Sequence, residues 1–131
     1  EGPGFEAHSD GDLILHSLSD ALLGSRAKKD LGFYFPSNEN TPENISSVEM
    51  LNKVLEIIEY EKIIINNIDI TVISQVINIS KISDSIASNI ANLLNVDKNF
   101  INVKGKSFDN LGVIGEGKAS ACFAIVSVKD A

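Results

Sequence analysis

Both histidines of this chain, His8 and His16, fall within the run Ala7-His8-Ser9-Asp10-Gly11-Asp12-Leu13-Ile14-Leu15-His16, and Asp20 follows four residues after the second. Imidazole and carboxylate are groups that bind metals, move protons and hold hydroxyls, so this stretch is where chemistry is expected. Ser9 or Asp10 suits a helix N-cap, and Gly11-Asp12 places negative charge in a first turn, where the helix dipole favours it. The spacing predicts a helix from about Asp12 to Leu23, with Leu13, His16, Asp20 and Leu23 along one side. In that register Asp20 accepts a proton from one ring nitrogen of His16 and leaves the other for a metal. The plainer reading, a partly buried and hydrogen-bonded histidine near a helix start, wins for a histidine taken alone.

The words that follow change that balance. Ser19-Asp20-Ala21-Leu22-Leu23-Gly24 leads to Lys29-Asp30-Leu31-Gly32 and Phe35-Pro36, then to Asn67-Ile68-Asp69-Ile70-Thr71, Ile101-Asn102-Val103-Lys104 and Leu111-Gly112-Val113-Ile114-Gly115-Glu116-Gly117. In this order, and across almost the whole chain, they resemble the 2-C-methyl-D-erythritol 2,4-cyclodiphosphate synthase family of the non-mevalonate isoprenoid pathway. The resemblance implies a metal-dependent lyase that cyclises 4-diphosphocytidyl-2-C-methyl-D-erythritol 2-phosphate and releases CMP. It implies a homotrimer with sites between subunits, Zn²⁺ or another divalent transition metal, and Mg²⁺ or Mn²⁺. On this resemblance His16 is the zinc ligand, Asp20 orients it, and Asp109 takes Mg²⁺, with Ser107 and Asp109 in the catalytic segment. His8, Ser9, Asp30, Gly32, Phe35, Ser74, Gly105, Lys106 and Ser107 are the expected substrate contacts, Asp30 holding the diol.

Departures from the family pattern carry their own expectations. Family members open with a strand bearing an Asp and a His two residues apart, which complete the zinc site, whereas this sequence opens on the turn-rich Glu1-Gly2-Pro3-Gly4-Phe5-Glu6. The expectation is a single domain over residues 1–131 that lacks that strand. A fragment is favoured over loss of the metal site, because a sheet without its first strand has an exposed edge. In the cytidine-binding loop the family's Pro and Lys positions read Ile77 and Asn78, and asparagine does not replace a lysine charge on a diphosphate. Lys106, where a threonine is usual, is a candidate to restore it. Glu116 stands where many bacterial members have an arginine, so an isoprenoid diphosphate is not expected in a trimer cavity. The alternative to the enzyme is a non-catalytic, trimer-forming homologue that keeps the fold and not the chemistry.

Composition sets the frame for these residues. At 131 residues with 44% hydrophobic and 22% charged content, the chain has the length and balance of one compact domain. A formal charge of -7 argues against nucleic acid or an anionic membrane surface as partner. A phosphorylated substrate is compatible with it, since backbone N–H groups and a metal supply positive field locally. Cys122, the single cysteine, reads as a buried strand thiol. The Asn- and Ile-heavy composition fits an AT-rich genome, and the resemblance implies a plastid or apicoplast location if eukaryotic and cytoplasm if bacterial.

The elements that must position the site follow from periodicity. Ser46 or Ser47 caps a helix with Glu49 in its first turn and Met50, Leu51, Val54, Leu55, Ile57 and Ile58 on its apolar face. Lys62 to Gln75 is a β-branched strand, Lys81 to Leu94 a helix with Ile82, Ile86, Ile90 and Leu93 inward, and Phe100 to Ser107 and Lys118 to Lys129 two further strands. The order fits an α+β fold with helices layered over a mixed sheet, and the resemblance implies a four-stranded sheet covered on one face by helices, trimeric with sheets facing the threefold axis.

Overall fold

The structure is a computed structural model that describes residues 3–38, 41, 45–74, 78–106 and 120–131, with residues 3–10 described as backbone alone. Four helices and three strands follow in the order α1 (Pro3–Ser25), α2 (Leu31–Tyr34), α3 (Ser47–Ile57), β1 (Ile63–Ile73), α4 (Ile79–Leu94), β2 (Ile101–Lys106) and β3 (Ala121–Asp130). Among the described residues the sheet has three strands in the order β2-β1-β3, not the expected four. The sequence offers three β-branched runs long enough for strands, and the described elements ahead of β1 are helices.

The amino-terminal lead is the largest correction. Rather than a turn-rich opening, α1 runs unbroken from Pro3, whose fixed φ suits a first helical position. Ser9 and Asp10 consequently lie inside the helix and do not cap it. The face of α1 turned to the core carries Ile14, Leu18, Leu22 and Leu23, while His16 and Asp20 are exposed.

β1 is the central strand. It pairs in parallel with β2, Ile68 opposite Ile101 through Ile73 opposite Lys106. It pairs antiparallel with β3, Ile63 opposite Asp130 through Ile73 opposite Ala121, with a register shift between Ile65 and Asn67. The parallel pair is joined through α4, as a parallel connection requires. α1 packs against β3, α4 against β2, and α3 against α1. The core therefore sits between the helices and one face of the sheet, where Ile68, Ile70 and Val72 meet Leu18, Leu22, Leu51, Val54, Ile90 and Leu94. The other face presents Phe123 and Ile125, which are 62% and 70% exposed.

Local chemistry sets the helix ends. Ser46 and Glu49 form a reciprocal capping box at α3, which settles the cap on Ser46 and leaves the Ser47 side chain unspent. Asp30 caps α2 by accepting the Phe33 N–H at 3.0 Å. α4 ends at Asn95 in the left-handed region, with φ 54°, a conformation asparagine tolerates better than most residues.

Candidate functional site

α1 and α3 are stitched together by three polar side chains. Asp12 and His16 are one helical turn apart on α1, so both reach the same point on α3, where Ser47 is 7% exposed. The Ser47 hydroxyl donates to Asp12 Oδ1 at 2.8 Å and lies 3.2 Å from His16 Nε2. Serine, histidine and aspartate in contact invite comparison with a nucleophilic triad, in which the carboxylate orients the ring from the nitrogen remote from the serine. Here the carboxylate bonds the serine itself. The arrangement therefore orients the histidine and does not activate the serine.

Asp20 is placed differently from expectation. Its Oδ1 accepts the Leu31 N–H at 2.9 Å, satisfying an amide in the first turn of α2. Among the described residues no hydrogen bond joins it to His16. The partner of His16 comes instead from α3, and Ser47 and Asp12 are the residues that sequence reasoning missed. Asp12 was visible as the carboxylate one turn before His16. Ser47 was not separable from Ser46 without the capping geometry.

Leu31 is tied to α1 through Asp20, and Asp30 immediately precedes it. One carboxylate oxygen of Asp30 serves as the α2 cap, and a carboxylate has capacity for further donors on the other. Gly32 lies in α2, where an added Cβ would meet only Asp30 Oδ1 at 3.7 Å, so packing does not demand glycine there. Phe35 is half-buried against the core and ends α2. A cavity of about 320 Å³ opens between the helices, with Asp12, Ile14, Leu15, Val48, Ile86 and Ile90 among its walls.

A separate group of expected residues lies at the carboxyl ends of β1 and β2 and the start of α4. Ser74 is 5% exposed, and its N–H donates to the Lys106 carbonyl at 3.0 Å, extending the parallel pairing beyond the strands. Gly105 lies so close to α4 that a Cβ there would fall 2.6 Å from Ile79 Cβ. Asn78 precedes α4 without capping it; its Oδ1 accepts the Ser80 hydroxyl at 2.6 Å. The first-turn amides of α4 thus receive no side-chain cap from Asn78, and Lys106 is exposed at the β2 end.

For other expected residues the side chain or the whole residue lies outside the described structure. His8 and Ser9 are on α1, with side chains outside the described atoms. Ser107, Asp109 and Glu116 lie outside the described residues, as does Ile77. Among the described residues no three His, Cys, Asp or Glu side chains gather where a metal ion could bind. A catalytic zinc takes three protein ligands, and the described side chains offer it one imidazole, His16. They do not by themselves complete such a site.

On the open sheet face, Asp69 accepts from Asn102 Nδ2 at 3.0 Å and Lys104 Nζ at 3.1 Å. These two donors hold its carboxyl below the usual carboxylate range.

Comparison with known proteins supplies the context for this geometry. The YgbB family profile matches residues 1–129. The chain is 44% identical over 118 residues to the 2-C-methyl-D-erythritol 2,4-cyclodiphosphate synthase of the Plasmodium falciparum (isolate 3D7) apicoplast, covering 90% of this chain and 49% of that protein. It is 41% identical over 122 residues to the synthase of the same name from Haemophilus ducreyi, covering 93% and 76% respectively. Among solved structures, IspF of Plasmodium falciparum in complex with CDP superposes with a TM-score of 0.79 at 42% identity, over 94% of this chain and 74% of that one. The chain spans about half the length of the Plasmodium relative.

Proposed function

The chain belongs to the YgbB family, and from that premise we propose that it carries the active-site domain of a 2-C-methyl-D-erythritol 2,4-cyclodiphosphate synthase. The observation that carries this reading is the match over residues 1–129 together with synthases 41% and 44% identical over most of the chain. The proposed substrate is 4-diphosphocytidyl-2-C-methyl-D-erythritol 2-phosphate. An oxygen of its 2-phosphate attacks the β-phosphorus, a new P–O bond closes the ring, and the bond to the oxygen shared with the α-phosphate breaks. CMP leaves with that oxygen.

No protein nucleophile is needed, so this chain's residues contribute position and charge. Asp30 Oδ2 is suited to accept the diol hydroxyls while Oδ1 holds the α2 cap. The first-turn amides of α4 and the Lys106 ammonium are suited to the diphosphate, supplying positive field in a chain of formal charge -7. His8 and Ser9 are proposed substrate contacts, as are Gly32, Phe35, Ser74, Gly105 and Ser107. His16 is proposed as one ligand of Zn²⁺ or another divalent transition metal, and Asp109 as a ligand of Mg²⁺ or Mn²⁺. Bound there, these ions would neutralise phosphate charge.

A homotrimer is proposed as the working assembly, supported by the exposed Phe123 and Ile125 on the uncovered sheet face. The apicoplast relative supports a plastid or apicoplast location if the source is eukaryotic, with cytoplasm the bacterial counterpart. A second reading, the non-catalytic trimer-forming homologue, is favoured by one observation: Asn78 occupies the family's lysine position.

The test is CMP release from the substrate with Zn²⁺ and Mg²⁺ supplied. The enzyme reading expects release that His16→Ala abolishes. No release at saturating substrate and metal would mean an incomplete or a retired version of the fold. Restoring an upstream Asp-x-His strand would tell the two apart: release regained keeps the enzyme reading, and none leaves the homologue.

A further inference from the structure

Ser47 does not serve α3 as its cap, because Ser46 accepts the Glu49 N–H and completes the capping box. Its hydroxyl is nonetheless buried and engaged on both sides, with Asp12 Oδ1 at 2.8 Å and His16 Nε2 at 3.2 Å. A hydroxyl has one hydrogen to give. An ionised carboxylate only accepts, so that hydrogen goes to Asp12. Nε2 must then be the donor to the serine oxygen. If the hydroxyl turned toward Nε2 instead, two oxygens 2.8 Å apart would face each other with no proton between them.

The bond pattern fixes the tautomer. We infer that Ser47, backed by Asp12, is the positioning residue of His16: the pair holds the neutral ring with its proton on Nε2 and presents Nδ1 as the nitrogen with a free lone pair. His16 is exposed, and without this anchor its ring would sample several rotamers and both tautomers. Two helices contribute, so the ring's orientation depends on the α1–α3 packing as well as on its own helix. The inference rests on the proposed role of His16 at the active site, which gives the fixed Nδ1 its use.

The experiment uses the full chain without added metal, uniformly ¹⁵N-labelled, with His8→Gln introduced so that one imidazole remains. Long-range ¹H–¹⁵N spectra at a pH where the ring is neutral should show a single species, protonated at Nε2, with that N–H slowed in its exchange with water. Ser47→Ala should lose the slowed signal and give averaged nitrogen shifts, while Ser47→Thr should restore the wild-type pattern. Asp12→Asn provides a second variant should Ser47→Ala fold poorly. It removes the obligate acceptor and should also yield a mixed tautomer. Nitrogen shifts unchanged in Ser47→Ala and Asp12→Asn, or a wild-type ring protonated at Nδ1, would overturn the inference.

Kinetics separate this from the proposed function. Ser47→Ala should lower kcat for CMP release by about tenfold, as expected for loss of a partner that orients a ligating histidine, with KM little changed and Ser47→Thr recovering the rate. If His16→Ala released CMP at the wild-type rate, the role of His16 would fail while the tautomer result stood. If the tautomer result failed and His16→Ala were inactive, the reverse would hold.

Discussion

Replacing Gly105 with alanine probes the closest approach between sheet and helix. Gly105 stands opposite Val72 in the parallel pairing of β1 and β2. A Cβ at that position would sit 2.6 Å from Ile79 Cβ, 3.1 Å from Cγ1 and 3.3 Å from Cγ2. Carbon atoms prefer roughly 3.5–4.0 Å, so the nearest pair is about 1 Å too close. The atom met first is a Cβ, fixed to the backbone of the first residue of α4, and no rotamer of Ile79 moves it. Either the β2 end or the α4 start must shift. Overpacking of this kind costs about 1–3 kcal/mol, offset by up to about 1 kcal/mol because alanine has fewer unfolded conformations than glycine. The expected net loss is about 1–2 kcal/mol. In urea, with a slope of about 1–3 kcal/mol per molar, the midpoint should fall by roughly 0.5–1 M. Ile79→Ala supplies the control. It removes Cγ1 and Cγ2 and keeps the offending Cβ, so the double variant should not recover the Gly105→Ala loss. A Gly105→Ala midpoint equal to or above wild type, or full recovery in the double variant, would refute the steric argument.

Two further perturbations test the elements around the site. Ser46→Ala removes the α3 cap and should destabilise the chain by about 1 kcal/mol, with Ser46→Asp restoring most of it; an unchanged urea midpoint would contradict the capping box. Asp69 is held below the usual carboxylate range first by Asn102 and then by Lys104. Because its folded-state pKa is the lowered one, the stabilisation is complete above the unfolded value of about 3.9 and is lost as pH falls through the folded value. Asn102→Ala should raise the Asp69 pKa in a carboxyl NMR titration and destabilise at neutral pH, the difference from wild type vanishing in acid. An Asp69 titration that does not move would show that the bond to Asn102 is not what holds it.

Periodicity and turn chemistry carried most of the fold. β1, α3, α4 and β2 start and stop within about two residues of where β-branched runs, a capping box and helical spacing place them. Pro3 and Gly4 misled because both residues mark turns more often than helix starts, yet proline is at home in a first turn. The site was legible where it depends on local spacing and not where it depends on which helices meet. His16 has a carboxylate one turn to either side, Asp12 and Asp20, and sequence spacing does not distinguish them. The choice is made by tertiary partners: the Leu31 amide at α2 takes Asp20, and Ser47 on α3 gathers Asp12 and His16.

The α1–α3 network and the β2–α4 end are held by different physics, and that difference determines how each fails. At the α1–α3 end the positions of Asp12, Ser47 and His16 depend on directional hydrogen bonds that a buried serine makes to a half-buried carboxylate and an exposed ring. Losing one partner frees the ring and costs about 1–3 kcal/mol where a buried group is left unsatisfied. At the β2–α4 end the placement of Lys106 and Asn78 depends on the absence of a side chain at Gly105, which lets Ile79 approach. There the functional groups are exposed and individually replaceable, whereas the spacing between their supports is not. Substitutions in the α1–α3 network should therefore alter the state of one imidazole and cost stability only through the partner left unsatisfied, about 1–3 kcal/mol. Substitutions at Gly105 should change stability and the β2–α4 end together, because the backbone that sets one also sets the other.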